Sequence, residues 1–317
     1  MPDGVTRRPW LRLVVTAVIT VAVTAWLLAR FGGQDWPGIA KSLRPGWVAA
    51  SFVVASACVA LGAVRWDLVL RSTGNRIGFR RALGAVLASW PAALVTPSRA
   101  GDLLRPLAIR DRVPVAQGVG SVLCEKVIDL GTTLALSAAG AALAGLWPVF
   151  GLAFAALCGE AVVLVLVIGN RERIASLPAL RRRAQVIRDL SDSFAALTRA
   201  PGLLVATMTV SIAIRLLTCG VVYALLVSAG ADVTLLDTCM LWPVATIVGL
   251  LPLTFGGVGT RDAAFLLLLA QRGHAVARGA VLAATMGYSA IALGAFALIG
   301  LPFMFRAAAI VRTPAEP

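Results

Sequence analysis

The chain has 317 residues, of which 59% are hydrophobic and 14% charged, with a formal net charge of +14. A soluble domain carries about 25% charged residues, so this composition excludes an ordinary water-exposed fold. The positive charge sits in short segments between long apolar runs. That placement reads as membrane topology and anionic-lipid contact, and not as nucleic-acid binding.

The apolar runs are continuous, which favours helices over the short alternating strands of a barrel. Arg7, Arg8 and Arg12 precede the first run, 13–29. No small-residue cleavage site follows it, so it is expected to be an uncleaved first membrane helix with a cytoplasmic N-terminus. The second run is 47–64. Arg65, Arg71, Arg76, Arg80 and Arg81 come next and read as a return to the cytoplasm.

Segment 82–96 is short for a crossing and ends at Thr96-Pro97. Arg99, Arg105, Arg110 and Arg112 follow; a dip that re-enters and returns keeps them inside. Run 115–146 leads outward and run 149–169 leads back. The arginine-rich stretch 170–200 is then expected to be a cytoplasmic amphipathic connector on the membrane surface. Run 203–227 leads to 228–237, which has no basic residue, as an outside loop should.

Runs 238–255 and 263–270 are both short, and Gly256-Gly257-Val258-Gly259 separates them. Run 279–305 completes the chain. The predicted fold is all-α: one integral membrane domain over 1–317, with about six spanning helices and two re-entrant broken helices arranged as an inverted repeat. Both termini are expected in the cytoplasm.

Cys58, Cys124, Cys158, Cys219 and Cys239 are dispersed through apolar sequence without a CxxC pair, so they read as small buried hydrophobes. His274 is the only histidine, which argues against a His-based metal centre or a Ser-His-Asp triad. No cofactor is called for. Trp10, Trp26, Trp36, Trp47, Trp147 and Trp242 lie near segment ends or breaks and read as interface anchors.

A charged group at membrane depth costs about 2.5–3.5 kcal/mol on the insertion scale, so each needs a partner or a wet cavity. Three clusters qualify. Pro97, Arg99, Gly101, Asp102 and Arg105 form the first. It reads either as an anion site beside a helix start near Asp102 or as a turn whose charges set topology. Glu125, Lys126 and Asp129 form the second. The two acids share a helix face, which fits a cation or proton site, or a salt bridge to arginines such as Arg215. Pro252, Gly256, Gly257, Gly259, Arg261 and Asp262 form the third, and read as an intramembrane break lining a cavity. Glu160 has no obvious partner.

These elements also carry a resemblance. Thr96-Pro97-Ser98-Arg99-Ala100-Gly101-Asp102 with Arg105-Pro106 resembles the TPxRxGE…RP element of the lysylphosphatidylglycerol synthase transmembrane-region family. Glu125 to Asp129 resembles its ExxxD element. Leu251-Pro252 through Gly256-Gly257-Val258-Gly259-Thr260-Arg261-Asp262 resembles its LPxxxGGxGxRE element. Asp102 and Asp262 stand where glutamate is usual, and Lys126 where arginine is usual. The soluble aminoacyl-transferase domain of the synthase is not expected in this chain.

The resemblance implies a lipid flippase or transporter of the bacterial-type plasma membrane. Its substrate would be an anionic or polyprenyl-linked lipid. Arg99, Arg105, Arg215 and Arg261 would then contact the headgroup phosphate, with Glu125 and Asp129 balancing them. Two rivals stand beside it. One is a membrane-embedded transferase using Glu125 or Asp129 as general base. The other is an accessory subunit partnered with a lipid-modifying enzyme.

Overall fold

A computed structural model describes residues 43–176, 184–251, 254–273 and 277–312, with Val21, Ala25, Gly38 and Lys41 as isolated positions. The run 13–29 apart from Val21 and Ala25, Pro252 and His274 fall outside the described residues, as do Trp10, Trp26 and Trp36. The described chain is helical and no strand occurs in it.

Eleven α-helices are described: α1 (Pro45–Ser72), α2 (Phe79–Val95), α3 (Val115–Leu143), α4 (Trp147–Gly169), α5 (Arg171–Ser176), α6 (Ala184–Thr198), α7 (Pro201–Ser228), α8 (Leu235–Leu250), α9 (Thr260–Gln271), α10 (Arg278–Ser289) and α11 (Phe296–Arg312). A 3₁₀ segment, Pro97–Ile109, follows α2, and a π segment, Ala290–Ala295, joins α10 to α11. Proline opens α1, α4 and α7 within their first two positions, where its missing N–H costs no hydrogen bond.

Among the described residues, four stretches are long and apolar enough to cross a membrane: Pro45–Ser72, Trp147–Gly169, Pro201–Ser228 and Arg278–Ala307. α3 is 29 residues long but carries Glu125, Lys126 and Asp129. Large side chains such as Leu152, Val165 and Phe305 stand 75%, 70% and 66% exposed. Water would not tolerate so broad an apolar surface, whereas lipid covers it at no cost. The molecule is a polytopic membrane helical bundle.

Close helix contacts depend on glycine. A Cβ on Gly140 of α3 would lie 2.2 Å from the Met240 carbonyl oxygen of α8. One on Gly300 of α11 would lie 2.3 Å from the Leu87 carbonyl oxygen of α2. Without a hydrophobic drive between helices in lipid, such backbone approach supplies much of the packing.

Both expected broken segments fold as hairpins. α2 packs on Pro97–Ile109, and α8 packs on α9 across a turn at Phe255–Gly257. The 3₁₀ segment also touches Phe255–Gly257, so the two breaks meet.

Several expectations need correction. The helix expected to start near Asp102 is instead a 3₁₀ run that begins at Pro97 and contains Pro106. Pro106 has no N–H to donate, and Thr96 Oγ1 accepts the Gly101 N–H at 2.7 Å, which holds the tight turn. Within the stretch 170–200, α6 docks on α3, burying Phe194 and Leu197, and Gly120 of α3 leaves room for the Asp189 backbone.

Trp242 is no interface anchor, being only 2% exposed, whereas Trp47 and Trp147 are exposed. Cys158 is exposed on α4, not buried. Arg65 is not in a cytoplasmic loop. α1 continues to Ser72 because Trp66 and Leu68 to Leu70 keep it apolar past the arginine.

Candidate functional site

Four elements bring the charged residues together. Arg65 of α1 is 5% exposed and points its guanidinium at α3. Its Nη2 lies 2.7 Å from Glu125 Oε1 and its Nη1 lies 2.7 Å from Asp129 Oδ1. The same Nη1 donates to Ser211 Oγ of α7 at 3.3 Å. Glu125 and Asp129 stand one helical turn apart, so one planar guanidinium spans both.

The chain of charges runs on in both directions. Arg105 Nη1 reaches Glu125 Oε2 at 3.1 Å, and its Nη2 reaches Asp102 Oδ1 at 3.0 Å. Arg105 Nε donates to Ser89 Oγ of α2 at 3.2 Å. Lys126 pairs with the other oxygen of Asp102, and Arg215 of α7 pairs with Asp129 Oδ2. The order is Lys126, Asp102, Arg105, Glu125, Arg65, Asp129, Arg215, with cation and anion alternating throughout. Alternation gives every buried charge at least one counter-ion, which offsets the several kcal/mol each would otherwise lose to desolvation.

The middle is buried and the ends are more exposed. Side chains of Asp102, Glu125, Arg65 and Arg105 are 6% exposed or less. Asp129 and Arg215 reach 20% and 19%, and Lys126 reaches 36%. All but Asp102 line a half-open cavity of about 140 Å³. Its remaining wall is apolar and aromatic, with Trp90, Tyr288 and Phe296 facing the charges. A polar pocket this size holds water or a small anionic group such as a phosphate. Both carboxylates are held by two arginines each, which leaves little freedom for a general base. No group of three or more His, Cys, Asp or Glu placed to hold a metal occurs among the described residues.

The sequence-derived residues thus divide. Asp102, Arg105, Glu125, Lys126, Asp129 and Arg215 come together as one network. Gly101 positions it: a Cβ there would lie 2.3 Å from the Ala92 carbonyl carbon, and its absence lets the 3₁₀ segment lie flat on α2. The Arg99 side chain and Pro252 lie outside what is described.

Gly256, Gly257 and Gly259 are not among the residues lining this cavity. They form a packing turn at φ 57°, 74° and 88°, with Gly257 against the Gly249 backbone. Arg261 is likewise not at the cavity. Its guanidinium is stacked 4.9 Å from the Trp242 ring and 4.8 Å from the Tyr288 ring, bonded to Asp262 at 3.1 Å and to Ser289 Oγ at 2.6 Å. Asp262 caps α9 by accepting the Gly259 N–H at 3.0 Å. Tyr288 joins the two clusters, since it touches both Arg261 and the cavity.

Arg65, Ser89 and Ser211 were missed as site residues. Trp66 and the apolar residues Leu68 to Leu70 gave a signal that the helix continues past Arg65; nothing local marks either serine.

The geometry can be set beside known proteins. Glycosyltransferase AglD of Haloferax volcanii is 31% identical over 150 residues, a match covering 47% of this chain and 23% of that protein. The sequence profile described as lysylphosphatidylglycerol synthase TM region matches residues 10–311, which takes in all three motif elements and every member of the charge network. The chain belongs to the lysylphosphatidylglycerol synthase transmembrane-region family.

Proposed function

We propose that this protein moves an anionic or polyprenyl-linked lipid between the leaflets of a bacterial-type plasma membrane. The observation that carries the reading is the alternating charge network along a half-open cavity inside an apolar bundle. Arg215 and Lys126, at the exposed ends, are the groups able to meet an incoming phosphate. Arg65 and Arg105, deeper, would receive it as their pairings with Glu125 and Asp129 loosen. An arginine-lined route lowers the cost of taking a headgroup through hydrocarbon, because charge meets charge in place of lipid tails. The cavity is too small for a whole sugar-bearing headgroup, so passage requires the two hairpins to part.

On this reading about six helices cross, both termini are cytoplasmic, and the hairpins act as opposed gates of an inverted repeat. A lipid-modifying enzyme is a fitting partner. The name of the partly matching relative favours a second reading, in which this region assists a glycosyltransferase.

The test is transfer of a fluorescent phospholipid across proteoliposomes, read as the fraction protected from a membrane-impermeant quencher. The double variant Asp129→Asn with Arg215→Gln removes both ion pairs of Asp129, to Arg215 and to Arg65, while keeping net charge. It is expected to slow transfer by about tenfold, ~1.4 kcal/mol on the barrier. Equal rates in variant and parent would remove the network from the mechanism.

A further inference from the structure

Glu160 is an acid of a different character, half-buried as a residue but with its carboxyl turned inward. It is the only charged residue of α4, a helix that buries little of itself except Ala153. It lies thirteen residues, roughly 20 Å, beyond Trp147 and nine residues, roughly 14 Å, before Gly169. That places it near mid-depth of a helix otherwise given to lipid contact.

Both Glu160 carboxyl oxygens are buried, and neither has a hydrogen-bond partner. They sit over Gly131 of α3, where a Cβ would stand 3.1 Å from Oε2. The described elements packed on α4 are α3, α5 and α6. Their charges are committed elsewhere: Glu125, Lys126 and Asp129 to the network, Arg171 to Asp192 and Glu172, and Arg188 to Glu172. Neither Arg173 nor Asp189 pairs with Glu160. Charge without a partner in hydrocarbon is far costlier than a neutral acid. Nothing in the transport scheme uses this residue.

We propose that Glu160 is a proton-binding site of the membrane interior. The carboxyl holds its proton while α3 and α4 are closed on each other. It gives that proton to water, leaving a carboxylate, when the contact at Gly131 opens. α3 carries Glu125 and Asp129 as well, so protonation at Glu160 couples to the cavity through one rigid helix; this coupling, unlike the site itself, rests on the lipid-transport reading.

Dicyclohexylcarbodiimide tests the site in proteoliposomes. A protonated carboxyl adds across one C=N bond of the reagent, oxygen to carbon and hydrogen to nitrogen, and the adduct rearranges to a stable acylurea. Peptide mass spectrometry is expected to find the adduct on Glu160 and not on arginine-bound Glu125 or Asp129. The labelling should fall as pH rises and be lost in Glu160→Gln. A Glu160 that stays unmodified at low pH, or labels equally at every pH, overturns the site.

An imposed pH gradient then tests the coupling. It should change the lipid-transfer rate of the parent and not that of Glu160→Gln; an equal response overturns the coupling. If no lipid moves in any form, the transport reading fails, and the labelling alone decides the proton site.

Discussion

Arg65→Ala is expected to destabilise the bundle by about 3–5 kcal/mol and to abolish lipid transfer. The substitution removes the shared counter-ion of Glu125 and Asp129, both of which point at it from α3. Asp129 keeps Arg215 and Glu125 keeps Arg105, so each acid loses half its pairing. At 2% exposure Glu125 has no water to replace the lost bond. Thermal unfolding in detergent checks this, with Arg112→Ala as control because that side chain is 63% exposed and its ion pair contributes little. Similar melting temperatures for the two variants would contradict the central place given to Arg65. Arg65→Met combined with Glu125→Leu should cost less than Arg65→Ala alone, since no half-paired Glu125 remains and Asp129 retains Arg215.

Gly101→Ala is expected to act nearly as strongly, by a different route. Its new methyl would lie 2.3 Å from both the Ala92 carbonyl carbon and the Ala93 nitrogen, which are backbone atoms and cannot rotate away. The 3₁₀ segment must lift from α2, at a cost of about 1–3 kcal/mol for the overpacking. Asp102 and Arg105 are carried with it, and the contacts of Arg105 to Ser89 and Glu125 open. Lipid transfer should therefore fall much further than stability does. Gly74→Ala, at an uncrowded position with φ 84°, serves as the comparison for backbone strain alone. A Gly101→Ala protein that transports normally would show that the hairpin contact does not set the network.

Much of the site was legible from charge at depth. Glu125 and Asp129, a turn apart in apolar sequence, demanded partners, and Arg215 was a visible candidate for one of them. Asp102 and Arg105 stood out beside a proline-glycine break. What the sequence hid was the joining of distant elements. Arg65 reads equally well as the first residue of a loop or the last charge of a helix; only its position against α3 decides. Arg261 looked like a headgroup ligand because it follows a glycine turn. The rings of Trp242 and Tyr288, from two other helices, enclose it instead. The 3₁₀ geometry of Pro97–Ile109 was likewise hidden, since it follows from Pro106 and from contact with α2 together, and neither alone forbids an α-helix.

The most direct measurement is where a lipid goes. A phospholipid bearing a photoreactive group next to its phosphate, irradiated in proteoliposomes and followed by peptide mapping, reports its neighbours. Attachment at Trp90, Thr218 or Tyr288, lost on competition with unlabelled lipid, is the predicted result. Attachment confined to the outer faces of α4 and α11, with the cavity unlabelled, would contradict the account.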